Sequence, residues 1–448
     1  MVPMDQLTCS TVWKEHEEDF LNLLRIPSVY QPSTVTENTP YGKPVHDALM
    51  FMKEQMDRAG FETEVYDNVC VSGTFGAGEE RIDIASHLDV VEPGDHWDSD
   101  PFEPIIRDGR IIARGSQDMK SGAWLTFLAL KRLKEEGFQP KRRLRLVYGS
   151  DEERTMEDMR RYVELAGMPE FAFTPDGSFP ITIGEKGALM LEVEGDYRGV
   201  VERLEGGVQC NVISPHASAV LPRSFEIQGE LSQISTEIQE YEDHIVLSTE
   251  GISAHASRPE DGHNATVDLL KVLRDLTGEV IFEELFNVFE DPYGEGAGIA
   301  AEIPPMGKLS MNLGVLKIND GTLYAQIDIR YPYGCTSEWI HSSLQSALPS
   351  LRVTMPYDDP PTLLKEDDPF LIPLKQAYEA VTGKPCGMKI SGGVSYSKVF
   401  GHCVNFGDLK EETPALQHQR NESVPLADLY EALKIYYNTL KLLGGGTL

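Results

Sequence analysis

At 448 residues the chain is long enough for two domains or more, and its apolar content is that of a globular protein. Acidic residues number 72 against 40 basic ones. That balance argues against a nucleic-acid partner, which needs clustered Lys and Arg, and reads as a solvated surface that repels other anions.

The start of the chain carries Asp5, Glu15, Glu17, Glu18 and Asp19, not the basic start and apolar stretch of a signal peptide. No segment reaches the roughly 20 apolar residues that span a bilayer. Cys9, Cys70, Cys210, Cys335, Cys386 and Cys403 are scattered without paired spacing, as reduced structural thiols would be. A cytoplasmic protein without a membrane partner is expected.

Glu15–Leu24 reads as a helix through Phe20, Leu21, Leu23 and Leu24. Ile82–Ala85 is a short β-type run that ends at His87. Met119–Glu136 is an amphipathic helix through Leu125, Leu128, Leu130 and Leu133. Arg143–Gly149 is a strand that ends at Asp151-Glu152-Glu153. Met156–Ala166 is helical, and Phe171–Thr174 is a strand leading to Asp176. Strands alternate with helices, which predicts an α/β fold with a mostly parallel, helix-covered sheet.

From about Leu189 the pattern changes to alternating runs. Leu323–Arg330 follows the hairpin signal Asn319-Asp320-Gly321 and ends at Tyr331-Pro332. Asp358, Asp359, Pro360 and Pro361 mark a break, after which Phe370–Thr382 is helical and Cys403–Phe406 extended. The simplest organisation is a first domain in two parts, residues 1–186 and 359–448, interrupted by an insertion over 187–358. Gly444-Gly445-Gly446 reads as a flexible tail.

Ligands of such sheets bind beyond the carboxyl ends of the strands. His87, Glu152, Glu153 and Asp176 hold that position, Asp118 falls at a helix start, and Gln417-His418-Gln419 adds a late imidazole. Two imidazoles and three carboxylates, with a glutamate to spare, are the inventory of a two-metal hydrolase with one carboxylate to bridge the ions. Each residue also has a plainer use. His87 alone fits a core histidine, Asp118 a helix N-cap, and the Glu152-Glu153 pair the acids of a helix start.

Ser86-His87-Leu88-Asp89-Val90-Val91, Arg114-Gly115 with Asp118-Met119-Lys120, Asp151-Glu152-Glu153 and a late His resemble the dinuclear zinc peptidases. That group includes PepV-like dipeptidases, carboxypeptidase G and succinyl-diaminopimelate desuccinylase. The likeness to the PepV-like members extends to Asp95-His96-Trp97, Asp100-Pro101-Phe102-Glu103-Pro104, Phe173-Thr174-Pro175-Asp176 and Asp328-Ile329-Arg330-Tyr331-Pro332.

The resemblance implies a zinc-peptidase catalytic domain with an inserted α+β lid, and a metallodipeptidase of the cytoplasm. Its substrates would be dipeptides with a free C-terminal carboxylate, cleaved by a water held between two metal ions. The ions are implied to be zinc, with manganese or cobalt admitted by the oxygen-rich ligands. Asp118 would bridge them, His87 and Asp176 would complete one, and Glu153 and His418 the other. Glu152 would be the general base, and the Asp89 carboxylate would hold the second ring nitrogen of His87.

His255, in Gly251-Ile252-Ser253-Ala254-His255-Ala256-Ser257, would meet the oxyanion, while Asn211 and Arg330 would hold the substrate carboxylate. Gly392, Gly393 and Ser395 would form a turn along the substrate. The peptide bond after Asp118 is expected to be cis, as in that group. The large lid implies a monomer. Departures from the group's pattern are Ser86, Ser121, Arg154-Thr155, Lys398 and Glu411-Glu412-Thr413; they bear on substrate preference and remove no ligand. The competing readings are an N-acyl amino acid amidohydrolase with the same metals, and a non-catalytic metal-binding paralogue.

Overall fold

The computed structural model describes residues 6–227 and 236–445. The chain forms two compact units. The first comprises the described residues up to Ile183, then Leu364–Lys389 and those from Ser395 onward; the second comprises Gly184–Leu363 and Ile390–Val394. The sequence reading drew the crossings after Lys186 and Asp358 and did not separate the five residues Ile390–Val394.

The sheet of the first unit runs in the order Glu62–Tyr66, Cys70–Phe75, Arg143–Gly149, Arg81–His87, Phe171–Thr174, Cys403–Asn405, and then Ile181–Glu185, within which the chain leaves the unit. The four central strands, Arg143–Gly149 to Cys403–Asn405, are mutually parallel. Antiparallel strands flank them. In Arg81–His87 every residue after Arg81 is buried, because a central parallel strand is covered on both faces and its side chains find no solvent.

The helix Lys120–Glu135 is buried along most of its length and packs against the C-terminal helix Leu426–Gly444 and the N-terminal helix Gln6–Leu24. Gly444, expected in a loose tail, is the last, buried residue of the C-terminal helix. Gly446 lies outside the described residues.

The second unit is an eight-stranded antiparallel sheet, with Ser310–Asn319 and Thr322–Tyr331 as its central hairpin. Asp320 and Gly321 turn that hairpin with φ of 48° and 75°, the left-handed pair that matches strand twist. The helices Ala265–Thr277, Val280–Phe289 and Ser337–Ala347 contribute Leu269, Leu273, Phe282, Leu285, Ile340 and Leu344 to one core with the sheet's Leu191, Leu247 and Ile327. Among the described residues no helix is long and apolar enough to cross a membrane.

Candidate metal centre

His87 ends its strand opposite Gly149, the last residue of the neighbouring parallel strand. The loop that carries Glu152 and Glu153 therefore starts beside the imidazole. Asp176 follows the strand on the other side of Arg81–His87. A Cβ on Gly122 would collide with the Pro175 carbonyl, so glycine there lets the Lys120–Glu135 helix start against the turn that holds Asp176. The three-stranded sheet of Ser423–Pro425, Arg110–Ile112 and Ile105–Arg107 draws the His418 segment towards the Asp118 loop.

The Asp118–Met119 peptide is cis, as expected. Met119, not Asp118, is the N-cap of the following helix, and no side chain caps it. The Asp118 carboxylate instead spans two imidazoles. Its Oδ1 lies 3.1 Å from His87 Nε2, and its Oδ2 lies 3.1 Å from His418 Nε2. Glu153 Oε2 is 3.0 Å from His418 Nε2, and Glu152 Oε2 is 3.8 Å from His87 Nε2. His418 itself has φ of 62°, an uncommon conformation for a non-glycine residue.

Two sets of side chains are close enough to hold an ion, His87 with Asp118 and Glu153, and His87 with Glu152 and Asp176. Glu153 Oε1 is buried without a hydrogen-bond partner. An unsatisfied buried carboxylate oxygen is costly, and a divalent cation would satisfy it. The donor set thus fits ions bound by imidazole and carboxylate.

The second ring nitrogen of His87 departs from expectation. Nδ1 lies 2.9 Å from the main-chain oxygen of Asp89 and 3.6 Å from its carboxylate. The Asp89 carboxylate instead accepts the Glu153 N–H at 3.1 Å. With Nδ1 donating to a carbonyl, His87 would present the Nε2 lone pair to a bound ion once Nε2 gives up its proton. Asp89 thus tethers the His87 and Glu153 loops together.

Burial, opposed by His87 and reinforced by Glu153, Asp176 and Asp118, pushes the Glu152 carboxyl well above the usual range. Burial works the same way on Asp118, but hydrogen bonds from His418 and His87 outweigh it and hold that carboxyl low. Bonds to Asp118 and Glu153 push His418 up to about 11.

Two supporting carboxylates escaped the sequence reading. Glu422 is fully buried and accepts from Arg114 Nη1 at 2.7 Å, Gly115 N at 3.1 Å, Gln117 N at 2.6 Å and Asp118 N at 3.1 Å. It fixes the loop that presents Asp118. Removing one partner of a buried ion pair strands the other, so Glu422→Ala is expected to destabilise by about 3–5 kcal/mol in urea unfolding. Glu422→Gln, which keeps the shape, should weaken divalent-metal affinity by about 10–100-fold in competition with a chelating dye.

Asp158 is the second. It accepts Asp151 N at 3.0 Å, together with Ser150 N and the Tyr396 hydroxyl, and so pins the loop leading to Glu152. A Cβ on Gly149 would collide with both Asp158 and Tyr396. Burial, helped by Asp89, pushes the Asp158 carboxyl up to about 7. The folded state then holds this proton at a pH where the unfolded chain has lost it, so stability falls as pH rises from the ordinary carboxyl range to about 7. Urea midpoints compared between the wild type and Asp158→Asn should show a steeper slope in the wild type, the difference amounting to a few kcal/mol on the order of 4.

Arg154, a departure from the resembled pattern, lies 3.3 Å from Asp151 and stacks 3.5 Å from the centre of the Tyr30 ring. Ser395 is buried and caps the short helix Tyr396–Lys398; its hydroxyl accepts from Ser397 N at 3.2 Å and donates to Asn405 at 3.1 Å. It therefore has a local structural role beside the one expected for it.

The remaining expected residues belong to the second unit. The Asn211 carbonyl accepts Ala256 N at 2.9 Å, next to His255, whose Nδ1 is 2.7 Å from Ser257 Oγ. Arg330 is almost fully buried. Its Nε and Nη2 each donate to Asp328 at 2.8 Å, and its Nη1 donates to the Gly392 carbonyl at 3.1 Å.

A parallel-centred sheet with a buried imidazole and carboxylate cluster at its carboxyl rim is the arrangement of a metal-dependent hydrolase. Solved structures share this fold. Dug1p, a dipeptidase of Saccharomyces cerevisiae, superposes with a TM-score of 0.63 at 15% identity over 98% of both chains. Human carnosine dipeptidase 1 gives 0.60 at 14% identity, over 97% of this chain and 99% of that one. A Bacillus subtilis protein named "Putative dipeptidase YtjP" is 30% identical over 93% of this chain and 95% of its own length. A similarly named Staphylococcus saprophyticus protein is 30% identical over 95% and 97%. The family model described as peptidase family M20/M25/M40 matches residues 84–442, and the chain belongs to that family.

Proposed function

We propose that this hydrolase cleaves dipeptides that carry a free C-terminal carboxylate. In this reading His87, Asp118, Glu153, Asp176 and His418 hold two divalent ions, zinc in the first place, and Glu152 is the general base. The observation that carries it is Asp118, whose two oxygens each approach a different imidazole at 3.1 Å. A carboxylate so placed is suited to bridge. The names of the dipeptidases among the relatives and fold neighbours support the substrate class.

Bound ions of this kind act as Lewis acids that polarise the scissile carbonyl and make water a stronger acid. Glu152 takes the proton of the attacking water and returns it to the leaving amine nitrogen, so one carboxylate serves both transfers. His255, its ring oriented by Ser257, donates to the developing oxyanion. Asn211 and Arg330 orient the terminal carboxylate, and Asp328 keeps the guanidinium planar and fixed. Gly392 and Gly393 give the peptide close access to the backbone. The protein acts as a cytoplasmic monomer, the large second unit serving as its own lid.

The test compares one dipeptide with its N-acetylated twin on zinc-loaded and manganese-loaded protein. Cleavage of the free dipeptide alone is the expected result. Preferred cleavage of the acetylated twin would make the protein an acylase, and cleavage of neither would overturn the reading.

A further inference from the structure

Asn211 and His255 lie outside the long strands of the second unit, and such a segment aims a side chain only if its main chain is held. Asn211 is exposed and sits in a turn closed by Val212 N on the Gln209 carbonyl at 3.3 Å. Three consecutive carbonyls here are taken. Those of Cys210 and Val212 accept from Asn312 Nδ2 at 2.8 and 3.0 Å, and that of Asn211 accepts from Ala256 N at 2.9 Å. The two peptide planes that meet at the Asn211 Cα are therefore both fixed, and with them the direction of its Cβ.

The same segment fixes His255. The Ala254 carbonyl accepts from Ile213 N at 2.9 Å, and Ala256 N donates to the Asn211 carbonyl. Both peptide planes that meet at the His255 Cα are thus held by residues 211–213. Asn312 itself is buried in the strand Ser310–Asn319. Its Oδ1 accepts from Asn264 Nδ2 at 3.1 Å, which leaves Nδ2 facing the two carbonyls. Asn264 also donates to the Leu313 carbonyl at 3.0 Å and caps the helix Ala265–Thr277. A Cβ on Gly314 would collide with Cys210, so glycine there lets the strand and the turn come together.

We infer that Asn312 is a positioning residue that aims Asn211 and His255 at the substrate, by clamping the carbonyls of Cys210 and Val212. The inference rests on the dipeptidase reading for what those two side chains do. A side-chain amide suits the task because one nitrogen carries two N–H groups and bonds two carbonyls at once. An apolar residue of similar size would fill the strand position and leave the turn untethered. The effect is geometric, since a displacement of about 1 Å at a group that meets substrate can cost about 10²-fold in rate.

Asn312→Leu keeps the bulk and removes the donors, and Asn312→Ala serves in its place if the larger side chain prevents folding. Hydrogen exchange and dipeptide kinetics would be followed on the zinc-loaded protein. The amides of Ile213 and Ala256 should exchange about tenfold faster or more, while those of Thr322–Tyr331 keep the wild-type rate. On a dipeptide kcat/KM should fall by about 10–100-fold with the metal content unchanged. On an Asn211→Ala, His255→Ala background the same change should cost no more than about twofold, because the residues it aims are gone. Unchanged exchange at Ile213 and Ala256 would overturn the inference. So would a loss of rate that is as large on that background, which is what a merely structural asparagine would give. If the wild type cleaves no dipeptide, the dipeptidase reading fails, and the exchange rates still decide whether Asn312 holds the two segments.

Discussion

Glu152→Gln is expected to lower kcat on a dipeptide by about 10²–10⁴-fold while the protein keeps its fold and its ions. The amide has the shape of the carboxylate but no basicity, so it cannot take a proton from water. Glu152 is well placed for such a role. Its carboxylate stands 3.8 Å from His87 Nε2, farther than Asp118, and its own loop is pinned by Asp158 rather than by the cluster. KM should change little, because the side chain is not asked to hold substrate. Steady-state kinetics beside metal analysis checks this. A variant that loses an ion would make Glu152 a ligand, since its carboxylate lies close enough to His87 and Asp176 to share an ion with them.

Asp118→Ala should have the larger effect on metal. Both oxygens of Asp118 are engaged, one toward each imidazole, so on the proposed two-ion reading its removal would take a ligand from both ions at once. The expected content falls from two ions per chain to fewer than one after dialysis, with activity lost in parallel. His418→Ala, which removes a ligand from only one side, should leave the ion at His87 and Asp176. Mass spectrometry of the native protein distinguishes these outcomes. Near-equal metal content in the two variants would argue against Asp118 as the shared ligand. Circular dichroism confirms that Asp118→Ala is folded, a needed check because Glu422 is bonded to the Asp118 amide.

Much of this site could be read in the sequence because strands announce where they stop. Buried parallel strands are short apolar runs, and His87 and Asp176 follow two such runs directly. The helix after Asp118 was equally legible from its period. Spacing carried no information on what Asp118 does there, since a cap and a ligand occupy the same position; the uncapped helix start and the two imidazole contacts show that the carboxylate is not the cap. His418 sits in irregular chain with a left-handed backbone, where no periodicity exists; the residues offered it only as a late imidazole, and the resemblance gave it a ligand's role.

The contacts that were missed are those decided by main-chain direction or by long-range pairing. The Asp89 carbonyl, not its side chain, meets His87, and two residues' separation cannot tell one oxygen from the other. Glu422 reaches Arg114 across 308 positions through a short sheet whose strands, Arg110–Ile112 and Ser423–Pro425, are too brief to signal themselves. Ile390–Val394 belongs to the second unit although five residues leave no compositional mark.

The central claim is a pair of ions sharing Asp118, with Glu152 left outside their coordination. Anomalous diffraction from crystals of the zinc-loaded protein tests it most directly. The account predicts two peaks, one bonded by His87 and Asp176, the other by Glu153 and His418, with one Asp118 oxygen on each at roughly 2.0–2.2 Å. A single peak, or Glu152 at bonding distance in place of Asp176, would contradict it.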